Sequence, residues 1–473
     1  MSKRLEIPAG DVMRQREIAA EVRQLHSTRP TAPTAYLDTY GCQQNEADSE
    51  TMAGFLVEMG YTLVDDEHGA DLVLMNTCAV REHAANRVYG NIGALSHTKR
   101  EKPGQIIIVC GCMAQREEVI LKIKESYRHV DLTFPPHALW RLPEFLRKIL
   151  LEKGRYFETS APDTSIAEDL PSVRREGPTA FLSVMYGCNN FCTYCIVPHV
   201  RGRERSRRPE KIVADIEKLV ADGARDITLL GQNVNSYGHD LEENIDFSDL
   251  LEKVNGVFGD FLIRFMTSHP KDAGERLFST MARLPKVAKH IHLPFQAGNT
   301  EVLKRMNRGY SKEDYLALIE TARRYMPKIV LTGDVIVGFP DETQVQFADT
   351  LDILEQVRFD ALFTFIFSPR PGTPAAEYDD PVPRSEKQVW FDQLLALQNQ
   401  ISTEKHAAYV GTRQRVLVDG VEEKTGALTG RTNGGRLVRI QSEDQSLVGE
   451  FVEVEIVSAS TWSLEGQLIG NSE

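Results

Sequence analysis

The chain has 473 residues, of which 41% are hydrophobic and 26% charged. That excludes a mostly disordered or collagen-like polymer and sets an expectation of about three domains. The formal charge of −13 excludes nucleic-acid binding through average charge, though not through a local basic groove, and the longest apolar run, around Ile106–Val109, is too short to span a membrane.

The first 33 residues are polar and mixed in charge and lack the apolar stretch of a signal peptide. The chain is therefore expected in the cytoplasm with no membrane partner, and residues 1–33 read as an extension without an assigned role. After it, three similar segments follow. Thr34–Tyr40, Asp71–Asn76 and Gln105–Cys110 read as strands, each followed by a helical stretch: Ala47–Gly60, the segment with Arg81, Glu82 and His83, and the residues from Gln115. Apolar strands alternating with helices predict a parallel sheet covered on both faces, a domain of residues 34–150.

A cysteine lies just past each of these strands: Cys42, Cys78 and Cys112. In a parallel sheet all strand C-termini lie on one edge, so cysteines far apart in sequence converge there. Helix N-termini beside them favour thiolate. Cys110 lies inside its strand and reads as core, and Cys112 occupies the loop position that matches Cys42 and Cys78. The plainer alternative is that all of them are buried structural cysteines.

Three more thiols follow in Cys188-x3-Cys192-x2-Cys195, just past a strand over Ala180–Met185. An odd total of seven cysteines in a large chain argues against a disulfide framework. Soft thiolates so close together select zinc or an iron–sulfur cluster. A closed zinc site needs a fourth ligand, and His199 is the only near candidate, with Pro198 restricting it. A 4Fe–4S cubane held by three thiolates keeps one iron open for a substrate or cofactor.

Five further strands alternate with helices: Asp226–Leu230, Leu262–Met266, His290–Leu293, Ile329–Val337 and Ala361–Phe367. With Phe181–Met185 they predict a partial (β/α)6 barrel within residues 174–405. Polar residues gather past the strand ends, at Gly231-Gln232-Asn233, Ser268-His269-Pro270 and Pro294-Phe295-Gln296 among others, on the face where barrel enzymes build their sites. Each could also be a turn former only. Beside the cysteine loop, His199–Arg208 carries five arginines in ten residues. This run reads as a contact to phosphate or to a cofactor carboxylate, against the plainer reading of a solvated, ion-paired face. After a helix over Glu386–Tyr409, five short strands between Arg413 and Ile469 predict a small β-barrel within 408–471. The expected class is thus α/β, with a parallel-sheet domain, a partial barrel and a small terminal β-barrel.

At this point the residues resemble a known family. The cysteine loop is similar to the CxxxCxxC signature of radical S-adenosylmethionine enzymes. With Thr39-Tyr40-Gly41-Cys42-Gln43-Gln44-Asn45, Asn76-Thr77-Cys78-Ala79-Val80-Arg81-Glu82 and Gly111-Cys112-Met113-Ala114-Gln115, the chain resembles the methylthiotransferases, most of all the tRNA-modifying MiaB-type branch. The resemblance implies two 4Fe–4S clusters, one on Cys188, Cys192 and Cys195 and one on Cys42, Cys78 and Cys112, with S-adenosyl-L-methionine as cofactor. It implies insertion of sulfur and a methyl group at carbon 2 of N6-isopentenyladenosine beside the anticodon of tRNA. Sister families suggest the alternative of the same chemistry on another modified adenosine or on a ribosomal protein side chain. Tyr194 is implied to lie near the cofactor adenine, and Gly231, Gln232, Asn233 and Arg203 are the other expected cofactor contacts. No catalytic acid or base is expected. The terminal strands resemble a TRAM domain, an RNA-binding module, for which Arg431, Arg436 and Arg439 would supply the basic patch. The expected partners are the tRNA anticodon stem-loop, an electron donor such as a flavodoxin, and a sulfur or cluster carrier, with the chain acting as a monomer.

Overall fold

In the computed structural model, residues 5–79, 82–162 and 165–469 are described, with the backbone alone for Leu5 and 82–86. Val80 and Arg81 of the second cysteine motif lie outside the described residues. The chain forms two compact units. One takes the residues up to Arg175 with Met185–Asn189 and Ile196–Arg207; the other takes Glu176–Val184, Asn190–Cys195 and everything from Arg208 onward.

The first unit is built on a six-stranded sheet in the order Thr62–Leu63, Thr34–Thr39, Leu72–Thr77, Ile106–Gly111, Leu132–Phe134, Tyr156–Phe157. Every neighbouring pair is parallel. The central strands are apolar on both faces because both faces are covered. Leu72, Leu74, Ile106, Ile108 and Cys110 face one buried cluster, and Val73, Met75, Ile107 and Val109 face the other. Each such side chain contributes about 1.5–3 kcal/mol on burial. The three outer strands have only two or three residues each, too few to leave a periodic signal in the sequence.

The N-terminal extension belongs to this unit. It forms an 18-residue helix, Ala9–His26, whose Ala19 and Val22 join the same cluster as Leu142 and Leu146. Gln15 clamps it there: its Nε2 donates to the Glu144 carboxylate at 3.3 Å, and its Oε1 accepts from the Glu144 N–H at 3.2 Å.

The second unit holds the six parallel strands of the partial barrel. They pair as two three-stranded sheets, Leu262–Phe265, Asp226–Leu230, Thr179–Ser183 and His290–His292, Val330–Val337, Ala361–Ile366. A bond from Ser268 N–H to the His292 carbonyl (3.4 Å) bridges the two sheets. Helices fill the crossovers, and their starts are set by sequence. Asp246, Ser311 and Thr343 each form a capping box with the residue three positions on, which satisfies N–H groups that a helix leaves open.

Five antiparallel and parallel strands close the terminal barrel in the order Arg413–Val421, Leu428–Thr432, Leu437–Ile440, Leu464–Leu468, Phe451–Ala459. Val416, Val418, Val438, Ile440, Val454 and Ile456 fill it. The basic patch expected there is not formed. Arg436 is buried, ion-paired with buried Asp360, and ties the small barrel to the large one. Arg431 pairs with Asp419 at 3.1 Å and Arg439 with Glu422 at 3.2 Å. Among the described residues no helix is long and apolar enough to cross a membrane.

Candidate functional site

The sheet of the first unit brings three thiols to one edge. The strands that end before Cys42, Cys78 and Cys112 are immediate neighbours, and Thr39 pairs with Asn76 and Thr77 with Gly111 at their ends. Neighbouring strands lie about 4.8 Å apart, so the three cysteines sit side by side. Gly41 permits the closest approach: it has φ of +119°, and a Cβ there would lie 2.4 Å from the Cys78 Cβ and 2.9 Å from its Sγ. Gly41→Ala should therefore cost about 1–3 kcal/mol in backbone strain and contact and lower the thermal midpoint. Gly10→Ala is the control, because its Cβ would meet nothing within 4 Å.

Asn45 knits the edge together. Its Nδ2 donates to the Tyr40 carbonyl at 2.9 Å and the Thr77 carbonyl at 3.0 Å, and its Oδ1 accepts from Arg201 Nη2 at 3.0 Å. The Cys42 thiol reaches the same Oδ1 at 3.5 Å. Arg201 also pairs with Asp48 at 2.7 Å, with its side chain 5% exposed. Burial works against its charge, but Asp48, Cys112 and Cys42 outweigh burial and raise its pKa. The reciprocal effect acts on sulfur. Burial pushes the Cys112 thiol up, Arg201 pulls it down, and the nearby Cys78 and Cys42 push it up again, so that it stands raised to about 12. Cys110, by contrast, faces Met52 sulfur and the Met75 carbonyl, each at 3.6 Å, within the sheet core.

The arginine run is mostly buried, with Arg201, Arg205 and Arg207 inside, which counts against the plainer reading of a solvated face. Arg205 and Ser206 pair with Met185 and Tyr186 as a short antiparallel ribbon, which turns Arg205 inward. Arg207 pairs with Glu168 at 2.8 Å. Arg203 and Arg208 are the exposed members. The backbone of Arg203 packs closely on the cysteine loop. A Cβ on Gly187, at φ +78°, would lie 2.0 Å from the Arg203 carbonyl oxygen. Glycine before Cys188 thus lets the two segments touch, and Cys188 N–H donates to the Gly202 carbonyl at 3.1 Å. Asn189 is clamped to the Glu204 carboxylate, through its N–H at 3.1 Å and its Nδ2 at 3.2 Å.

In the second unit Cys195 N–H donates to the Cys192 carbonyl at 2.9 Å, and Thr193 is held by Met306 and Ala375 backbone. Tyr194 packs against a buried cluster that includes Ala297, Met306, Phe339 and Phe367. Arg308 donates from Nη1 to the Cys192 sulfur at 3.4 Å, from Nη2 to the Pro294 carbonyl at 2.9 Å and from Nε to Tyr310 at 3.0 Å. Sequence reasoning missed Arg308. It sits in a turn between Asn307 and Gly309, both at positive φ, where a charged residue is unremarkable until the fold buries it. Gly231, Gln232 and Asn233 follow the strand Asp226–Leu230, and the buried Asn233 donates from Nδ2 to Asp272 at 2.7 Å.

Among the described residues no three Cys, His, Asp or Glu side chains converge as they would around a single metal ion. A cubane places its ligands on different irons, so thiols on adjacent strand ends suit a cluster better than a lone ion.

Residues 182–354 match the Radical SAM superfamily, residues 34–135 the Uncharacterized protein family UPF0004, and residues 407–469 the TRAM domain. The fold is similar to that of a radical S-adenosylmethionine methyltransferase, TsrM, from Kitasatospora setae, with a TM-score of 0.56 at 14% identity over 73% of this chain and 77% of that one. Fold and matches define a protein of the radical S-adenosylmethionine class. The chain is 46% identical over 472 residues to a tRNA-2-methylthio-N(6)-dimethylallyladenosine synthase of Acetivibrio thermocellus, covering 99% of this chain and 98% of that one. It is 47% identical over 436 residues to the protein so named from Caldicellulosiruptor saccharolyticus, covering 92% of each. The chain belongs to the tRNA-2-methylthio-N(6)-dimethylallyladenosine synthase family.

Proposed function

We propose that this protein is the methylthiotransferase that places sulfur and a methyl group on carbon 2 of N6-isopentenyladenosine in tRNA. The observation that carries this reading is the near-full-length similarity at 46% identity to a synthase of that name, in a chain that retains all six motif cysteines. The relatives support this substrate and lend nothing to the alternatives of another adenosine or a ribosomal protein.

The residues present fit two clusters. Cys42, Cys78 and Cys112 would hold one, with Arg201 as a fixed buried cation that counters part of the burial penalty on the Cys112 thiolate. Cys188, Cys192 and Cys195 would hold the other, with Arg308 already donating to sulfur as it would to a thiolate. When bound, the clusters and S-adenosyl-L-methionine supply the one-electron chemistry and the sulfur, which lie beyond what side chains can do. The chain's own work is to hold the thiols in place, with Arg201 offsetting part of what burial costs the Cys112 thiolate. Tyr194, on its apolar wall, offers a face for an adenine; Gly231, Gln232, Asn233 and the exposed Arg203 are the remaining proposed cofactor contacts. The partners of this reading are the tRNA anticodon stem-loop, an electron donor such as a flavodoxin and a sulfur or cluster carrier, with a monomer acting in the cytoplasm.

The test is mass spectrometry of nucleosides from isopentenylated tRNA incubated with reduced, anaerobically reconstituted protein. A 2-methylthio nucleoside is expected from protein that carries about eight irons. Four irons or fewer, zinc in their place, or an unmodified nucleoside would overturn the reading.

A further inference from the structure

The short helix Val197–Arg201 lies on the sheet edge that carries Cys42, Cys78 and Cys112. Ile196 and Val200 share a buried cluster with Ala79 and Cys112. That apolar seat brings the last residue of the helix, Arg201, in beside the thiols. The guanidinium is then fixed from two sides. Its Nη2 pairs with the Asp48 carboxylate at 2.7 Å and donates to Asn45 Oδ1 at 3.0 Å. Asp48 in turn accepts from Gln44 Nε2 at 3.0 Å. Arg201, Asp48, Asn45 and Gln44 are all buried.

Arg201 also decides which way Asn45 faces. With Oδ1 held by the cation, Nδ2 is left for the Tyr40 and Thr77 carbonyls, which lead into Gly41-Cys42 and Cys78. A reversed amide would set its N–H groups against the guanidinium and its oxygen against two carbonyls. One cation thus holds two strand ends through one side chain. It is also close to sulfur: Arg201 Nη2 and the Cys42 thiol meet on the same Asn45 oxygen, at 3.0 and 3.5 Å. Guanidinium and sulfur are therefore no more than two hydrogen-bond lengths apart.

The ion pair does not cancel at the thiols. Arg201 acts on Cys112 more strongly than Asp48 does, and in the opposite direction. Salt screens a buried pair far less than an exposed one, so the field is built into the fold. We propose that Arg201 and Asp48 are positioning residues that set the reduction potential of the cluster carried by Cys42, Cys78 and Cys112, Arg201 raising it and Asp48 tempering the rise. This deepens the function proposed above and rests on it. An added electron makes a cluster more negative. A fixed positive charge beside its thiolates therefore stabilises the reduced form, and a negative charge the oxidised form. One charge at this range, in a partly polar interior, is worth about tenfold in the reduction equilibrium, or about 59 mV for a one-electron couple.

The test is a redox titration followed by electron paramagnetic resonance. It uses the full chain, reconstituted without oxygen, with Cys188, Cys192 and Cys195 replaced by alanine so that the sheet-edge thiols are read alone. In that background Arg201→Met should lower the midpoint potential by about tenfold in the equilibrium or more, and Asp48→Asn should raise it. Where Arg201→Met loses its fold, the double variant Arg201→Met with Asp48→Asn carries the test. It removes both charges together, and its potential should fall below that of the parent by less than about tenfold. Arg201→Lys keeps the charge and should restore the parent value to within about twofold. Iron content and thermal midpoint are measured alongside. A role in packing alone would lower both of these and give no opposite shifts. Unmoved potentials, or shifts of one sign in both single variants, would overturn the proposal. A parent chain that takes up no iron on its three thiols would overturn the cluster reading itself, and the proposal with it.

Discussion

Cys192→Ala should abolish cleavage of S-adenosyl-L-methionine, whereas Cys78→Ala should spare cleavage and stop sulfur insertion. Anaerobic assays that quantify 5′-deoxyadenosine and the 2-methylthio nucleoside side by side read both outcomes. The reason lies in the two proposed ligand sets. Cys192 takes a hydrogen bond from buried Arg308, and removing its sulfur leaves that guanidinium donor unmet as well as the first cluster one ligand short. Cys78 is buried between the Cys42 and Cys112 strand ends, and its loss touches the second set alone. The expected effect is a fall of several orders of magnitude in the affected step, as for any residue without which a cofactor does not assemble. Cys110→Ala is the matched control. It removes a thiol from the sheet core beside Met52, so it should trim stability by about 1 kcal/mol or a little more and keep both activities. If the Cys110 variant loses its second cluster while a Cys112 variant keeps it, the assignment of Cys112 is wrong.

The second large effect is on folding. Arg436→Ala should destabilise the protein by about 3–5 kcal/mol, because it strands a buried carboxylate. Asp360 is 4% exposed. It keeps the Leu331 N–H at 2.8 Å and Lys405 at 3.3 Å, but loses the guanidinium that also bonds its backbone carbonyl at 3.2 Å. A lowered denaturation midpoint measures this. Arg431→Ala removes a half-exposed partner of Asp419 and should change stability by about 1 kcal/mol or less. Were Arg436 instead an RNA contact, its removal would weaken tRNA binding and leave the midpoint unchanged.

Local chemistry made much of this protein readable in its sequence. Short, β-branched apolar runs such as Ile106–Val109, flanked by glycines, read as strands buried on both faces. A cysteine directly after each of three such strands has to meet the others, because parallel strands end on one edge. The close spacing of Cys188, Cys192 and Cys195 along the chain is what marks them as the proposed ligand set. Capping boxes follow the same rule: the information is local.

What the tertiary structure alone decided is which charges are buried and with whom. Five arginines at His199–Arg208 look alike in sequence, yet Arg201 lies under Asp48 and Asn45 while Arg203 is exposed. Arg436 reads as surface and is a strut. Arg308 carries no local signature and donates to a cysteine 116 residues away. The N-terminal helix looks polar because only one stripe of it, through Val12, Ile18, Ala19 and Val22, is buried, against the helices Leu142–Glu152 and Gln43–Glu58. A charged side chain is stable inside only when a partner from a distant element neutralises it, and sequence order does not record that pairing.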